Sequence, residues 1–213
     1  MKLHSFFRSS AAYRVRIALA VKGLAYETVA HHLRKGEQRE AEYRALHPQA
    51  LVPTLEDSGH VILQSLAIIE YLDEAYPQTL RLLPQDPVER AAVRAMSLAI
   101  ACDIHPLNNL RVLEYLKSQM RQSQEATDVW YRHWIAEGLA ALETLARRHS
   151  RGGRHCFGDA VTMADACLVP QLYNARRFQA DLAPYPTLVA IGDSLERLPA
   201  FAAARPEAQP DAE

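Results

Sequence analysis

The sequence predicts a mixed α/β N-terminal domain followed by an all-α C-terminal helical domain. Residues 1–76 alternate short strand-like and helix-like stretches, and beyond Pro87 the apolar residues recur at helical spacing. Between them, Pro77, Pro84 and Pro87 punctuate a linker over 77–87. The expected domains are therefore 1–80 and 88–213.

Each element has a local cause. A strand is expected over 2–6, then a helix over 10–22 that ends at Gly23, then a strand over 26–30. A short helix lies between Arg39 and Leu46, and strands over 53–56 and 60–63 flank the turn signal Asp57-Ser58-Gly59. The helix from Ser65 to Tyr76 places Ala67, Ile68, Tyr71, Leu72 and Ala75 on one face, with Glu70, Asp73 and Glu74 opposite. Further helices are expected over 88–118, 125–149, 162–178 and 187–198. Ile135, Leu139, Leu142 and Ala146 line one of them, and Leu188, Ile191, Leu195 and Leu198 another. Thr162-Met163-Ala164-Asp165 reads as a structural capping box, and the tail after Pro206 as frayed.

Bulk properties exclude several classes. A net charge of −1 over 213 residues gives no global field for nucleic acid or an anionic membrane. No stretch approaches the roughly 20 apolar residues that span a bilayer. Cys102, Cys156 and Cys167 form no metal or redox spacing, so no metal is expected; they suit a reducing cytoplasm, as small buried apolar residues.

The densest chemistry lies in FRSSAAYRVRIAL, Phe7 to Leu19. A helix N-terminus offers unpaired N–H groups and partial positive charge, so a serine there can stabilise a thiolate. A redox protein would place Cys-x-x-Cys after the first strand, but this loop reads Ser9, Ser10, Ala11, Ala12. The sulfur must arrive with a bound thiol. A free thiol with pKa near 8.5 is only about 3% ionised at neutral pH, and a shift of about two units, about 2.7 kcal/mol, makes it roughly three-quarters thiolate. Ser9 is the first choice for the stabilising hydroxyl and Ser10 the second.

Other candidates follow in order. Val52-Pro53 fits a turn or a cis peptide, and Ser65 after Gln64 is a candidate N-cap at an anion-accepting helix start. Arginine is the natural carboxylate clamp, which points to Arg8 beside the serine loop and to Arg176 and Arg177 in Asn174-Ala175-Arg176-Arg177-Phe178. The stretch Asp103-Ile104-His105-Pro106-Leu107-Asn108-Asn109-Leu110-Arg111 puts polar groups into an apolar helical pattern.

Together these residues resemble the zeta class of soluble glutathione transferases. The class signature, Ser-Ser-Cys-Ser-Trp-Arg-Val-Arg-Ile-Ala-Leu, is matched at Ser9, Ser10 and Arg14 to Leu19; Ala11 stands at the family cysteine and Tyr13 at the tryptophan. The resemblance implies a thioredoxin-like N-terminal domain and a homodimer that pairs each such domain with its partner's helical domain. It implies glutathione contacts from Val52 and Pro53 (cysteinyl part), Gln64 and Ser65 (γ-glutamyl end), Gln49 (glycyl end), His105 and Asn109. It assigns Arg177 to a small dicarboxylate substrate. The implied activity is cis–trans isomerisation of maleylacetoacetate by reversible thiolate addition. Alternatives are isomerisation of maleylpyruvate, conjugation or dehalogenation of small electrophiles such as α-haloacids, and ligand binding without catalysis. Maleylpyruvate isomerases tend to carry a basic residue at the position of Leu110, which leans the reading toward maleylacetoacetate, although Arg111 is adjacent.

Overall fold

A computed structural model describes residues 1–213, which divide into two compact units, Met1–Leu83 with Glu196–Glu213, and Pro84–Leu195. The first holds β1 (Lys2–Ser5), α1 (Ser10–Lys22), β2 (Glu27–Ala30), a 3₁₀ turn (Glu37–Arg39), α2 (Ala41–Leu46), β3 (Thr54–Asp57), β4 (His60–Leu63) and α3 (Ser65–Ala75). The second holds α4 (Pro87–Leu98), a π stretch (Ala99–Ile104), a 3₁₀ turn (His105–Asn108), α5 (Leu110–Ser118), α6 (Gln124–His149), α7 (Met163–Arg177) and α8 (Pro186–Leu195). The chain then returns to the first unit with α9 (Pro199–Ala204) and a last 3₁₀ turn (Pro206–Ala208). No helix is long and apolar enough to cross a membrane.

The sheet order is β2-β1-β3-β4. β1 and β2 run parallel because α1 carries the chain back between them, whereas β3 pairs antiparallel with β1 and β4. The β3–β4 hairpin turns on Ser58 (φ 51°) and Gly59 (φ 81°), both left-handed as a two-residue hairpin demands. Gly23 ends α1 at φ 65°, with its N–H donated to Ala20 O. α1 packs against α3 and α9 and is buried on nearly every side, Arg14 and Arg16 included.

Several expectations need correction. The inner face of α3 is Ser65, Ile68, Ile69, Leu72 and Asp73, while Ala67 and Ala75 are exposed. Asp73 turns inward because it accepts from Lys22 Nζ (2.8 Å) and from the N–H groups of Leu82 (2.9 Å) and Leu83 (2.8 Å). The second unit does not extend to 213 and the tail is not frayed: Arg16 Nε donates to Ala204 O (3.0 Å), Phe7 N–H donates to Asp211 Oδ2 (2.9 Å), and Glu213 pairs with Arg8 (3.6 Å) and His32 (2.7 Å).

The helix expected over 88–118 is broken. It widens to a π stretch at 99–104, tightens at Pro106, which has no N–H to donate, and restarts at α5 under the cap of Asn109. Likewise α8 stops at Leu195, since Pro199 holds Leu198 in extended backbone, and Leu198 is exposed. Of the cysteines, Cys156 and Cys167 are buried but Cys102 is exposed.

The helical unit is anchored on α6, whose Tyr131, Ile135, Leu139, Leu142 and Ala146 are buried. Glu143 on α6 accepts from Thr187 N–H (3.1 Å) and Leu188 N–H (3.0 Å) at the start of α8. Gly138, inside α6, lies so close to Ile104 that a Cβ there would overlap that side chain. The Thr162–Asp165 box closes α7, and Asp165 also accepts from Cys156 N–H at 2.7 Å.

Candidate active site

Ser9 caps α1. Its backbone is extended (φ −68°, ψ 116°) and its Oγ accepts from Ala12 N–H at 3.2 Å. The helix uses the oxygen lone pair, so the hydroxyl keeps its proton to donate to an incoming anion. Ser9 is half-buried, whereas Ser10 is buried. None of the three cysteines stands in this turn.

The Val52–Pro53 peptide is cis. Tyr43 brackets it: its hydroxyl donates to Leu51 O (2.6 Å) and meets Thr54 Oγ1 at 2.9 Å. Burial pushes the Tyr43 phenol up to about 12, so it stays a donor. Val52 packs in one apolar cluster with Phe6, Phe7 and Tyr43, which fixes the proline turn against the residues that lead into Ser9.

Gln64, rather than Ser65, is the N-cap of α3, with φ 70° and ψ 120°. Such positive-φ backbone in a non-glycine residue costs of order 1–3 kcal/mol. Gln64 Nε2 donates to Gln49 Oε1 at 3.0 Å, so two residues named for opposite ends of a tripeptide meet. Ser65 is the first helical residue, and its Oγ accepts from Arg14 Nη1 at 3.2 Å. Arg14 is only 2% exposed. Helix amides, a hydroxyl proton and a buried guanidinium thus converge, a donor set suited to a carboxylate. Arg8 lies at the rim, half-buried, with its guanidinium 4.7 Å from the Phe7 ring centroid and 3.6 Å from Glu213.

The remaining candidates belong to the helical unit. His105 opens the 3₁₀ turn, and Asn109 Oδ1 accepts from Arg111 N–H at 3.1 Å. The segment is stapled to α6 by Asn108 Nδ2 to Tyr131 O (3.2 Å) and Trp130 Nε1 to Leu107 O (2.9 Å). Tyr131 stacks on Phe178 at 3.6 Å, and Arg177 lies 5.2 Å from that ring. Both the 105–109 segment and Arg177 therefore converge on one turn of α6. Arg176 faces elsewhere and pairs with Asp193 at 2.7 Å.

The structure thus gathers Ser9, Ser10, Gln49, Val52, Pro53, Gln64 and Ser65 in the first unit. Sequence reasoning missed Arg14, Arg16, Asn108 and Asp211. Arg14 and Arg16 did leave a signal: a helix apolar on all faces is a buried one, and a charge within it must find partners.

A thioredoxin-like unit with a serine-capped first helix and a cis-proline turn, joined to an all-helical unit, defines a glutathione transferase architecture. The N-terminal domain of glutathione S-transferase matches residues 1–74 and its C-terminal domain matches 128–204. The chain belongs to the glutathione S-transferases, within their zeta class. It is 51% identical over 212 residues to a probable maleylacetoacetate isomerase of Vibrio cholerae, covering 99% of this chain and 97% of the relative. The holo structure of a maleylpyruvate isomerase, a bacterial zeta-class transferase, superposes with a TM-score of 0.96 at 46% identity, covering 100% of both chains. A maleylacetoacetate isomerase of Methylobacterium extorquens AM1 with bound malonate and glutathione gives 0.94 at 39% identity, again covering 100% of both chains.

Proposed function

We propose that this protein is a glutathione-dependent cis–trans isomerase that converts maleylacetoacetate to fumarylacetoacetate. The observation that carries the reading is Ser9: a helix-capping hydroxyl whose oxygen accepts from Ala12 N–H and so keeps its proton to donate, two residues after Phe7, which packs with Val52 of the cis-proline turn, in a loop that has no thiol of its own. The relatives of nearly full length named for this reaction and for maleylpyruvate isomerisation support it. Between the two substrates, Leu110 favours maleylacetoacetate.

The residues present fit glutathione. The start of α3, with Gln64, Ser65 and Arg14 behind it, takes the γ-glutamyl carboxylate; Val52, before Pro53, offers its main chain to the cysteinyl part; Gln49 takes the glycyl end. His105 and Asn109 are assigned to the same ligand. Bound there, glutathione supplies a thiolate that adds to the enone and leaves again, so that the double bond becomes single long enough to rotate. Ser9 donates its proton in a hydrogen bond to the sulfur, and the α1 N-terminus adds positive potential. Arg8 and Arg177 bind and orient the substrate's carboxylates. In this structure the Arg8 guanidinium also lies 3.6 Å from the Glu213 carboxylate.

We also read the protein as a cytoplasmic homodimer, which three free cysteines and the family resemblance support; a monomer mass in light scattering at micromolar concentration would refute the dimer. The deciding experiment is the isomerisation rate with and without glutathione, for maleylacetoacetate beside maleylpyruvate. Fast, glutathione-dependent turnover with preference for the first is expected. Glutathione binding without turnover of either would overturn the isomerase reading in favour of conjugation or simple binding.

A further inference from the structure

The backbone that delivers Ser9 is held from the other end of the chain. Phe7 N–H donates to Asp211 Oδ2 at 2.9 Å, and Phe7 C=O accepts from Arg16 Nη2 at 2.9 Å. Arg16 Nη1 also donates to Ser5 Oγ (3.1 Å) and Phe6 O (3.4 Å), while its Nε holds Ala204 O (3.0 Å). The turn then closes with Ser9 N–H on Phe6 O at 2.9 Å. Both polar groups of Phe7, two residues before the cap, are therefore gripped by ionised side chains. Burial pulls the Arg16 guanidinium down to about 10, with Asp211 among the groups that favour its charge, so it stays a cation at neutral pH. Asp211 Oδ1 is buried and makes no hydrogen bond, so the carboxylate is held through Oδ2, which accepts from Phe7 N–H.

We infer that Asp211 is a positioning residue for the Ser9 hydroxyl, acting through the Phe7 amide, so that the C-terminal segment sets how strongly a bound thiol is ionised. The inference rests on the glutathione reading above. Charge-assisted bonds to backbone N–H are the stronger class, and a displacement of about 1 Å at a reacting group can cost about a hundredfold in rate. Arg16 grips the carbonyl side of Phe7; without Asp211 the amide side loses its charged acceptor and can tilt and carry Ser9 with it. A role in stability alone would lower the melting temperature and leave the thiol untouched.

The test titrates the thiol of bound glutathione by its ultraviolet thiolate absorbance in the parent, Asp211→Ala and Asp211→Asn, beside pH–rate profiles and thermal melts. Asp211→Ala should raise the bound thiol pKa by about one unit and lower the rate at neutral pH about threefold, with recovery at higher pH. Asp211→Asn keeps an oxygen acceptor and should fall between, and it decides the matter if the alanine variant does not fold. Variants that melt lower yet keep the parent thiol pKa and pH profile would overturn the inference. A parent that shows no bound thiolate at all removes the glutathione reading, and this inference with it.

Discussion

Replacing Ser9 by alanine deletes two interactions of one hydroxyl, and the two can be read separately. The first is the cap: Ala12 N–H loses its acceptor at 3.2 Å, which costs about 1 kcal/mol of stability and appears as a lower urea midpoint. The second is the bond to the sulfur. A hydrogen bond to a charged group contributes about 1.5–3 kcal/mol, or about one to two units of thiol pKa. With a bound thiol near 6.5 in the parent, the thiolate fraction at pH 7 falls from about three-quarters to between about 24% and 3%. The rate there should drop about 3- to 25-fold and return to within about 30% of the parent near pH 9, where both proteins are largely ionised. Ser9→Thr keeps a hydroxyl and should hold most of both effects. Stopped-flow rates across pH, with the thiolate absorbance of bound glutathione, make the measurement. An equal loss at both pH values with an unmoved thiol pKa would refute the role given to Ser9.

Arg177→Ala should lower kcat/KM by about 10- to 150-fold, the worth of a charged hydrogen bond, and Arg177→Lys should recover only part because an ammonium lacks the planar fork. Arg176→Ala should cost far less, since that guanidinium is engaged by Asp193; similar losses at the two positions would contradict the assignment. Asp73→Ala leaves Lys22, whose side chain is 0% exposed, as an uncompensated buried charge, and should lower unfolding free energy by about 3–5 kcal/mol in urea titration. Burial holds His47 and His31 below the ordinary histidine pKa, and in His31 the charge of His4 adds to this. Their unfolded forms bind protons first, so stability is full above about 6.5 and is lost as pH falls toward the folded values. Urea midpoints should therefore fall between about pH 7 and pH 5.5, and His47→Gln should flatten that slope.

Local signals made much of the fold legible. Ser9 and Gly23 bound α1, Asp57-Ser58-Gly59 turns the hairpin, and the spacing from Ile135 to Ala146 gives the inner face of α6. The same holds for the local geometry of the candidate thiol site, the Ser9 cap and the cis Val52–Pro53 peptide, because a serine before a helix and a proline at a strand entry carry their meaning within a few residues. What was not legible depends on partners far along the chain. Asp73 reads as a solvated acid until the N–H groups of Leu82 and Leu83, nine and ten residues on, claim it. Asp211 reads as part of a polar tail until it meets Phe7, 204 positions away. Pro106 was visible in sequence, yet the π widening before it was not: the 99–104 stretch packs against α4, α6 and α7, elements its own sequence does not reveal.

Gly138 gives that packing a practical side. Filling a glycine inside a helix ordinarily adds about 1 kcal/mol of stability, which makes α6 an inviting target for engineering. Here the added methyl group would strike Ile104, the last residue of the π stretch, immediately ahead of His105. The disturbance would surface on a different segment from the one edited. The packing of α6 and the placement of the segment that carries His105, a proposed glutathione contact, thus meet at one hydrogen atom of Gly138.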